Sequence, residues 1–587
     1  MKGDFARVTF DPTLHYSQVF QQQGRVLLEA DWNEQGAIQL HLLRTLAADL
    51  IGPCWAAGNG FRITTVDSAN KTLPLEDWSL SAGHFYADGI LCVNETACTL
   101  AGEPYRPTPD YGIADGRTGF ENAKGPYALW LDVWERHLSW VEAPHVADTA
   151  LNGVDTCSRA QVVWQLRLLD EGAAKASLQA VLDALQRRHD ALDPAGDEAK
   201  QLDAAIQTLQ KNGGKLLDEI YASLGGTAGD ERHVELACER LRALLNLRAT
   251  HACPQLRAQL QPPESDQDPC VIAADARYRG CENQLYRVEI HQGGLAAVAE
   301  PGVVAAGAAS ATFKWSRENG SVIFPIVDCG PPGEPDADGS ASMPVTLASL
   351  GRDARLGLAV GDRVELLDDD YALAQRAFPL LQVIAIDAPN RRVTLQVPKS
   401  LTPYQPSADP HKHPLLRRWD QQGEDLAAEG VLDVQEGEWL DLEDGIQIRF
   451  EPGGLYATGD YWVIPARVAG NGTLDWPQEA DASGKATAAA VRASGLHHRA
   501  VLGGVDAAGV YRECCCRWIP ACTQRLLALG KAAERLDLPP PPGALRAAAP
   551  LRAAAQPATT RTPTKPTTTR ASRTTKPRSG TTRRKPG

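Results

Sequence analysis

Alternation of apolar and polar residues predicts a protein built mainly of short β-strands. Segments such as YALWLDVWERHLSWVE (127–142), SRAQVVWQLRLLD (158–170) and GDYWVIPARV (459–468) are rich in aromatic and β-branched side chains. Gly, Pro, Asn and Asp separate these segments from their neighbours. Such spacing is typical of β-sandwich or barrel-like modules, so we expect a mainly β, multidomain fold.

Helical periodicity appears in two places. Near the N-terminus an apolar residue recurs about once per helical turn, at Ile38, Leu42, Leu46 and Leu50. Asp31 and Glu34 have the spacing of a capping box, and Gly52-Pro53 ends the pattern. We expect this helix to dock its apolar stripe on the strands that follow. Three further apolar stripes predict a helical hairpin inserted over residues 172–262.

The segment ATFKWSRENGSVI (311–323) places an aromatic residue, a cation, an anion and an amide close together. Alternate positions of 313–317 share one face of a strand, and Asn319-Gly320 is the preferred dipeptide of a tight turn. Apolar residues alternate again over 322–326. The alternative, a catalytic site at 316–318, lacks a nucleophile and a base at a recognisable spacing. The pattern therefore favours a β-hairpin.

The composition of the chain limits the classes of protein to which it can belong. The 587 residues are 43% hydrophobic and 22% charged, which is ordinary for a soluble protein of several domains. The first residues, MKGDFARVTFDP, lack the apolar core of a secretory signal, so a cytoplasmic protein is expected. Thirteen cysteines scattered along so long a chain favour mostly reduced thiols. Net charge is -14, although the C-terminal end is basic.

These patterns predict five parts of the chain. They are an N-terminal helix-plus-sheet module (1–171), the helical insertion (172–262), β modules (263–470), a cysteine-containing region (471–540) and a disordered tail rich in Thr, Pro, Arg and Lys (541–587). The tail contains too few large apolar residues to offset the entropy of an unfolded chain.

Several motifs together resemble a bacterial family that is associated with gene clusters of phage-tail-like contractile injection systems. The motifs are QQQGRVLLEADWNEQ (21–35), YADGILCVNE (86–95), LWLDVWERH (129–137), CENQLYRVEIH (281–291), FKWSRENGSV (313–322) and GDYWVIPAR (459–467). They extend over about 1–168 and 270–500, and the N-terminal part also resembles attachment modules of phage tail and baseplate proteins.

The resemblance implies a non-enzymatic structural or adaptor component at the baseplate or tail tip, with other baseplate, spike or sheath proteins as partners. It implies a cytoplasmic protein that joins a released or membrane-associated particle. It carries over no catalytic residue and no cofactor. The helical segment and the tail lie outside the resembling motifs.

A cysteine-rich segment, YRECCCRWIPAC (511–522), is the one candidate metal site. Cys514, Cys516 and Cys522, with His497 upstream, are ligand types that zinc prefers. Adjacent cysteines point in different directions, however, and no CxxC pair is present. Ordinary packing and a disulfide or redox role remain alternatives.

An acidic segment, EGEWLDLEDG (436–445), suggests a second function. Glu438, Asp441 and Glu443 beside Trp439 resemble the paired carboxylates and aromatic platform of a glycosidase, and Trp462 could stack on a sugar ring. Alternation instead favours an exposed acidic strand face and a core aromatic. The alternative function is a particle-borne carbohydrate-binding or glycan-hydrolysing tip protein.

The tail is a candidate electrostatic tether. Its cations are spaced by Thr, Ser and Pro: Arg561, Lys565, Arg570, Arg573, Lys576, Arg578, Arg583, Arg584 and Lys585. An extended segment of this kind suits nucleic acid, an acidic protein or an anionic membrane by charge alone. A solvated spacer is the other interpretation.

Overall fold

A computed structural model describes residues 1–107 apart from 68, 70, 72 and 101, then 126–224, 231–261, 277–297, 310–423, and 426–518 apart from 471, 481–483 and 507. Within these ranges the chain forms several sheets, one closed barrel and a helical segment. The predicted mainly β fold class with a helical part is confirmed. Over the same ranges, no helix has both the length and the apolar character needed to cross a membrane.

The N-terminal part contains one long helix followed by short strands. They are α1 (Glu29–Ile51), β1 (Cys54–Ala57), β2 (Ile63–Thr64), β3 (Ser79–Leu80), β4 (Gly83–Ala87), β5 (Ile90–Asn94) and β6 (Cys98–Thr99). Two long strands, β7 (Tyr127–Leu138) and β10 (Arg159–Asp170), pair along their whole length, and β8 (Ala147–Asp148) and β9 (Val154–Asp155) lie between them in sequence. The long strands match two of the predicted alternating segments.

The helical segment follows β10 directly. It consists of α2 (Glu171–Asp190), α3 (Asp197–Leu224), α4 (Glu231–Leu245) and α5 (Leu247–His251). Leu182, Ile220 and Leu241 belong to a core that also takes Trp130 and Val501 from the neighbouring sheet. The helices therefore bury their apolar stripes against each other and against one face of that sheet. Strand β11 (Gln255–Leu260) already begins within the range predicted for the insertion.

Most of the remaining strands build a sandwich and a barrel. In chain order they are β12 (Gln284–Gln292), β13 (Thr312–Ser316), β14 (Ile323–Cys329), β15 (Ala341–Leu347), β16 (Arg363–Leu367), β17 (Leu381–Asp387), β18 (Arg392–Val397) and β19 (Leu415–Trp419), with helix α6 (Asp369–Ala374) after β16. They continue with β20 (Leu432–Asp433), β21 (Leu440–Asp441), β22 (Ile446–Phe450), β23 (Tyr461–Arg467), β24 (Thr473–Leu474), β25 (Gln478–Ala480), β26 (Ala486–Ala488), β27 (Val491–Arg492), β28 (His498–Val505), β29 (Tyr511–Glu513) and β30 (Cys516–Trp518).

Two sheets face each other across one core. Their strand orders are β20-β13-β12-β23-β24 and β21-β22-β11-β27. Val288 and Phe313 from the five-stranded sheet share this core with Ile448 and Phe450 from the four-stranded sheet. The closed barrel has the order β14-β15-β18-β17-β16-β19 and its own core, which includes Val345 and Leu395.

The predicted hairpin over 311–326 is wrong. Asn319 and Gly320 do form a tight turn with positive φ, at 49° and 66°. The two strands beside the turn do not pair: β13 pairs with β12 and β20, whereas β14 pairs with β15 and β19 of the barrel. The turn therefore carries the chain from the sandwich to the barrel, because the apolar residues before and after it are buried in different cores.

C-terminal strands return to the N-terminal part of the chain. β28 pairs with β7 in the sheet β10-β7-β28-β29, and β30 pairs in parallel with β1. Just before β30, Cys514 forms a disulfide with Cys238 of α4, across 276 residues of sequence. Nine other described cysteines are free thiols. The disulfide fixes the helical segment to this C-terminal return.

Helix α1 differs from its sequence prediction in two ways. It begins at Glu29 after Leu28, which provides no side-chain cap, so Asp31 lies inside the helix, and Glu34 accepts a hydrogen bond from the Thr9 hydroxyl at 2.5 Å. Of the stripe expected to dock, only Ile38 is buried, whereas Leu42, Leu46 and Leu50 are exposed. The helix is instead linked to the sheet of β7 by a two-bond ion pair between Arg44 and Glu135.

Removing the disulfide tests the C-terminal return. We expect the double substitution Cys238→Ser/Cys514→Ser to lower the free energy of unfolding by about 3 kcal/mol, because the cross-link restricts a very long loop in the unfolded chain. Denaturant unfolding of the wild type with and without dithiothreitol checks this. The matched control is Cys157→Ser, an exposed free thiol. A wild-type midpoint that is insensitive to reductant would contradict the expectation.

Candidate functional site

The structure does not bring the three described candidate zinc ligands, Cys514, Cys516 and His497, together. Cys514 is consumed by the disulfide, and Cys516 lies exposed in β30 opposite Trp55. His497 directs Nδ1 to Asp132 at 2.7 Å and stacks on Trp134 with ring centroids 5.0 Å apart. Cys522 lies outside the described residues. Among the residues that are described, no group of three or more His, Cys, Asp or Glu side chains has a metal-binding arrangement.

The candidate glycan residues have separate structural partners. Glu443 receives two hydrogen bonds from the guanidinium of Arg317, at 2.7 and 2.8 Å, and a third from the Tyr286 hydroxyl at 3.0 Å. Asp441 accepts a hydrogen bond from Gln447 at 2.9 Å. Burial raises the pKa of Glu443, against the opposing effect of Arg317. Glu443 and Arg317 therefore connect the two sheets of the sandwich.

The aromatic members of that set also pack against the protein. Trp462 is buried in the sandwich core and donates its indole N–H to the Val491 carbonyl at 2.8 Å. Trp439 packs partly buried against the same core, with the Arg449 guanidinium 5.3 Å from its ring. Glu438 is exposed beside it. The nine cations of the predicted tether, from Arg561 to Lys585, lie outside the described residues.

A different set of polar residues forms the most closely connected site. We call it the buried charge cluster, and it consists of Lys2, Arg287, Glu289, Lys314 and Glu365. The strand period of two explains how it arises. On β12 and β13 one set of alternate side chains enters the sandwich core, so the other set, with the charges, points toward the barrel.

Lys314 and Glu365 connect the sandwich to the barrel. The Lys314 ammonium lies 2.6 Å from a Glu365 carboxylate oxygen and 4.4 Å from the centre of the Trp419 ring. Glu365 also accepts hydrogen bonds from the Tyr371 hydroxyl at 2.7 Å and the Trp419 indole N–H at 2.9 Å. Each group is almost fully buried, and each charge has a partner of opposite sign.

The N-terminal residues complete the cluster. The Lys2 ammonium lies 3.1 Å from Glu289, which also pairs with Arg287 at 2.6 Å. The amide of Asn319 donates to the carbonyls of Met1 and Gly3, at 3.2 and 2.9 Å. The tight turn that connects sandwich and barrel therefore also holds the beginning of the chain.

Burial and ion pairing have opposite effects on the pKa values of these groups. Burial lowers the pKa of Lys2 to about 8, although Glu289 acts against it. For Glu365, burial is outweighed by Lys314 and other cations, which bring its pKa down to about 2. Against the same effect of burial, Lys2, Arg287 and Lys314 hold the pKa of Glu289 well below its usual value. Both carboxylates thus remain ionised inside the protein.

A cavity of about 420 Å³ lies beside the cluster. Four of its charged lining residues have partners: Glu318 pairs with Arg355 at 2.8 Å, Glu29 accepts from the Ala6 amide at 2.8 Å, and Arg467 donates to the Ala6 carbonyl at 2.6 Å. Within the described residues, the cluster and its surroundings hold three parts of the chain together. The charged groups of the cluster are therefore paired with other groups of the protein.

One comparison with known proteins identifies a family. A family profile described as a family of unknown function, DUF6519, matches residues 1–585. The chain belongs to the DUF6519 family. The match includes the helical segment and most of the basic tail, which the resembling motifs left out.

No curated protein matches the chain. A solved structure described as the crystal structure of TssK is similar over 74% of this DUF6519 chain and 98% of its own length, with 12% sequence identity and a TM-score of 0.15.

The sequence reading of this DUF6519 chain missed the buried charge cluster. The available signal was the occurrence of charges at every second position of otherwise apolar strands, as in YRVEIH (286–291) and FKWS (313–316). On an ordinary half-exposed strand, this pattern predicts a solvated face. Only a second layer over that face makes the charges internal, and the barrel that provides the layer cannot be located from the strand alone.

Acid titration tests the cluster through Glu365. Its pKa is about 2 in the folded chain against an ordinary 4.5, so its stabilising effect is complete above pH 4.5 and is lost as the pH falls through 2. We expect this group to contribute about 3 kcal/mol to the loss of stability over that range. Glu365→Gln should remove that part of the pH dependence in urea unfolding followed by tryptophan fluorescence. The exposed Glu438→Gln variant is the control, and identical slopes for both variants would contradict the expectation.

Proposed function

We propose that this chain is a non-enzymatic structural or adaptor subunit of a phage-tail-like contractile injection particle, situated at the baseplate or tail tip. One observation carries the assembly role. Of the large hydrophobic side chains that the described residues leave exposed, thirteen of twenty-three lie within the first 51 residues. Apolar surface concentrated in this way marks an interaction site.

The kind of assembly comes from the motifs that resemble proteins of contractile injection clusters. Three of those motifs, at 281–291, 313–322 and 459–467, contribute strands to the five-stranded sheet, and the first two contain three of the five residues of the buried charge cluster. The residues of these motifs therefore favour a structural role over a catalytic one. A rigid body with one large apolar surface suits a subunit that transmits mechanical load between neighbours.

Purification from the native host tests this role. A C-terminal affinity tag is required, since Met1 and Lys2 are packed against Tyr461 and Glu289. We expect sheath, tube and baseplate proteins in mass spectrometry of the purified fraction, and tail-like particles in negative-stain images. The untagged strain is the control. Recovery of the chain alone under gentle conditions, with no particle, would argue against the proposal.

The basic tail provides a second test. Deleting residues 543–587 should leave thermal unfolding of the rest unchanged but weaken a salt-sensitive association, because the removed segment carries cations and no acidic residue. Retention on heparin and binding to vesicles containing phosphatidylserine measure the effect across a salt series. A control replaces the nine named cations with Gln at full length. Undiminished binding to both probes at low salt would refute the tether.

A further inference from the structure

Helix α1 presents most of its apolar residues to solvent. Trp32 is 79% exposed and Leu50 is 74% exposed, whereas Ile38 is 1% exposed. Helix α2, which has a similar length, buries six side chains in a core, and α1 buries two. An isolated apolar face of this size is unfavourable in water. The part of the chain that the structure describes leaves this face uncovered.

The exposed face has the spacing of a helix–helix seam. Its positions alternate four and three residues apart: Trp32, Gly36, Gln39, Leu43, Leu46 and Leu50. Leu40 and Leu42 widen it to an arc of roughly 160° at 3.6 residues per turn. Ile38, which is 1% exposed, lies outside this arc. We call the exposed arc the free face of α1.

The centre of the free face allows close approach of another helix. A Cβ atom added at Gly36 would meet nothing within 4 Å, so the glycine does not serve packing inside the chain. A glycine inside a helix costs stability, roughly 0.5–1 kcal/mol relative to alanine. Gly36 lies in the seam, where a backbone without a side chain can be approached closely by a neighbouring helix. The packing gained in this way offsets the cost.

The apolar area is sufficient for a stable interface. The thirteen exposed side chains of the first 51 residues expose on the order of 1,000 Å² of apolar surface, and a standard interface buries roughly 800 Å² from each partner. One facing helix covers only the narrow seam of such an arc. The width of the free face therefore indicates contact with more than one neighbouring segment.

Charges favour copies of this chain as those neighbours. Between Gln35 and Ala48 the only ionisable side chains are His41 and Arg44, and Arg44 is already paired with Glu135. Identical helices can therefore meet along the leucines without like-charge repulsion. Copies of the chain are also present at equal concentration whenever the chain is made, so this apolar surface is covered by mass action.

We propose that the free face of α1 is the interface between copies of this chain, which associate into a closed homo-oligomer through their α1 helices. The interface rests on, and gives a partner to, the assembly role proposed above. The extended residues before α1, with exposed Phe20, Val26 and Leu27, lie next to the free face in sequence and supply further apolar cover at the flank of a neighbouring copy.

The test is the mass of the purified full-length chain in solution. At micromolar concentration, light scattering after size-exclusion chromatography should give a multiple of 63.2 kDa. The variant Leu43→Glu/Leu46→Glu/Leu50→Glu should give a single chain with an unchanged circular dichroism spectrum, since all three positions are exposed in the monomer. The matched control Leu236→Glu, at an exposed position of α4, should keep the wild-type mass.

A charge-swapped pair makes the test specific for facing helices. Leu46→Glu and Leu46→Lys copies should each be monomeric alone, and an equal mixture should form oligomers that contain both. A monomeric wild type, a triple variant that retains the wild-type mass, or a mixture that stays monomeric would each overturn the interface. These measurements need no particle, so failure of the particle experiment and failure of this interface are separate results.

Discussion

The ion pair between Lys314 and Glu365 is the constraint on which the sandwich–barrel arrangement depends. Neither charge is accessible to water, so neither strand can shift without leaving a buried charge unpaired, which costs several kcal/mol. Tyr371 and Trp419 fix the remaining lone pairs of Glu365. Glu289 is needed beside this pair, because Arg287 would otherwise add an unpaired positive charge next to Lys314.

The same cluster determines where the chain begins. Lys2 reaches Glu289, and Asn319 holds the carbonyls of Met1 and Gly3, so the first residues are fixed beside the turn that joins the two β modules. The extended residues before α1, and then α1 itself, therefore begin from a position that is fixed on the β modules. Folding and presentation of the apolar surface therefore depend on one set of contacts.

Much of the local structure could be predicted from the sequence. Most of the errors concern which strands pair and which apolar surfaces pack against each other. The period of two correctly placed Phe313 and Trp315 on one face, and Asn319-Gly320 correctly predicted a turn. Strand pairing across that turn was not determined locally, because the flanking strands pair with distant ones: in β13, Phe313 lies opposite Leu432 of β20, and in β14, Ile323 lies opposite Arg417 of β19. The prediction that the apolar stripe of α1 docks on the following strands was wrong for the same reason. Periodicity identifies an apolar face but not the molecule that buries it.

The two surfaces of α1 separate stability from association. Arg44 holds the helix to its own sheet and Ile38 is buried, and neither belongs to the seam of Leu43, Leu46 and Leu50. A chain that needed those leucines for folding would bury them, as α2 does with Leu178 and Leu182. Their exposure in a helix that is otherwise anchored means that their contribution is to association. The argument applies to no other described helix, since α2, α3 and α4 all contribute side chains to one common core.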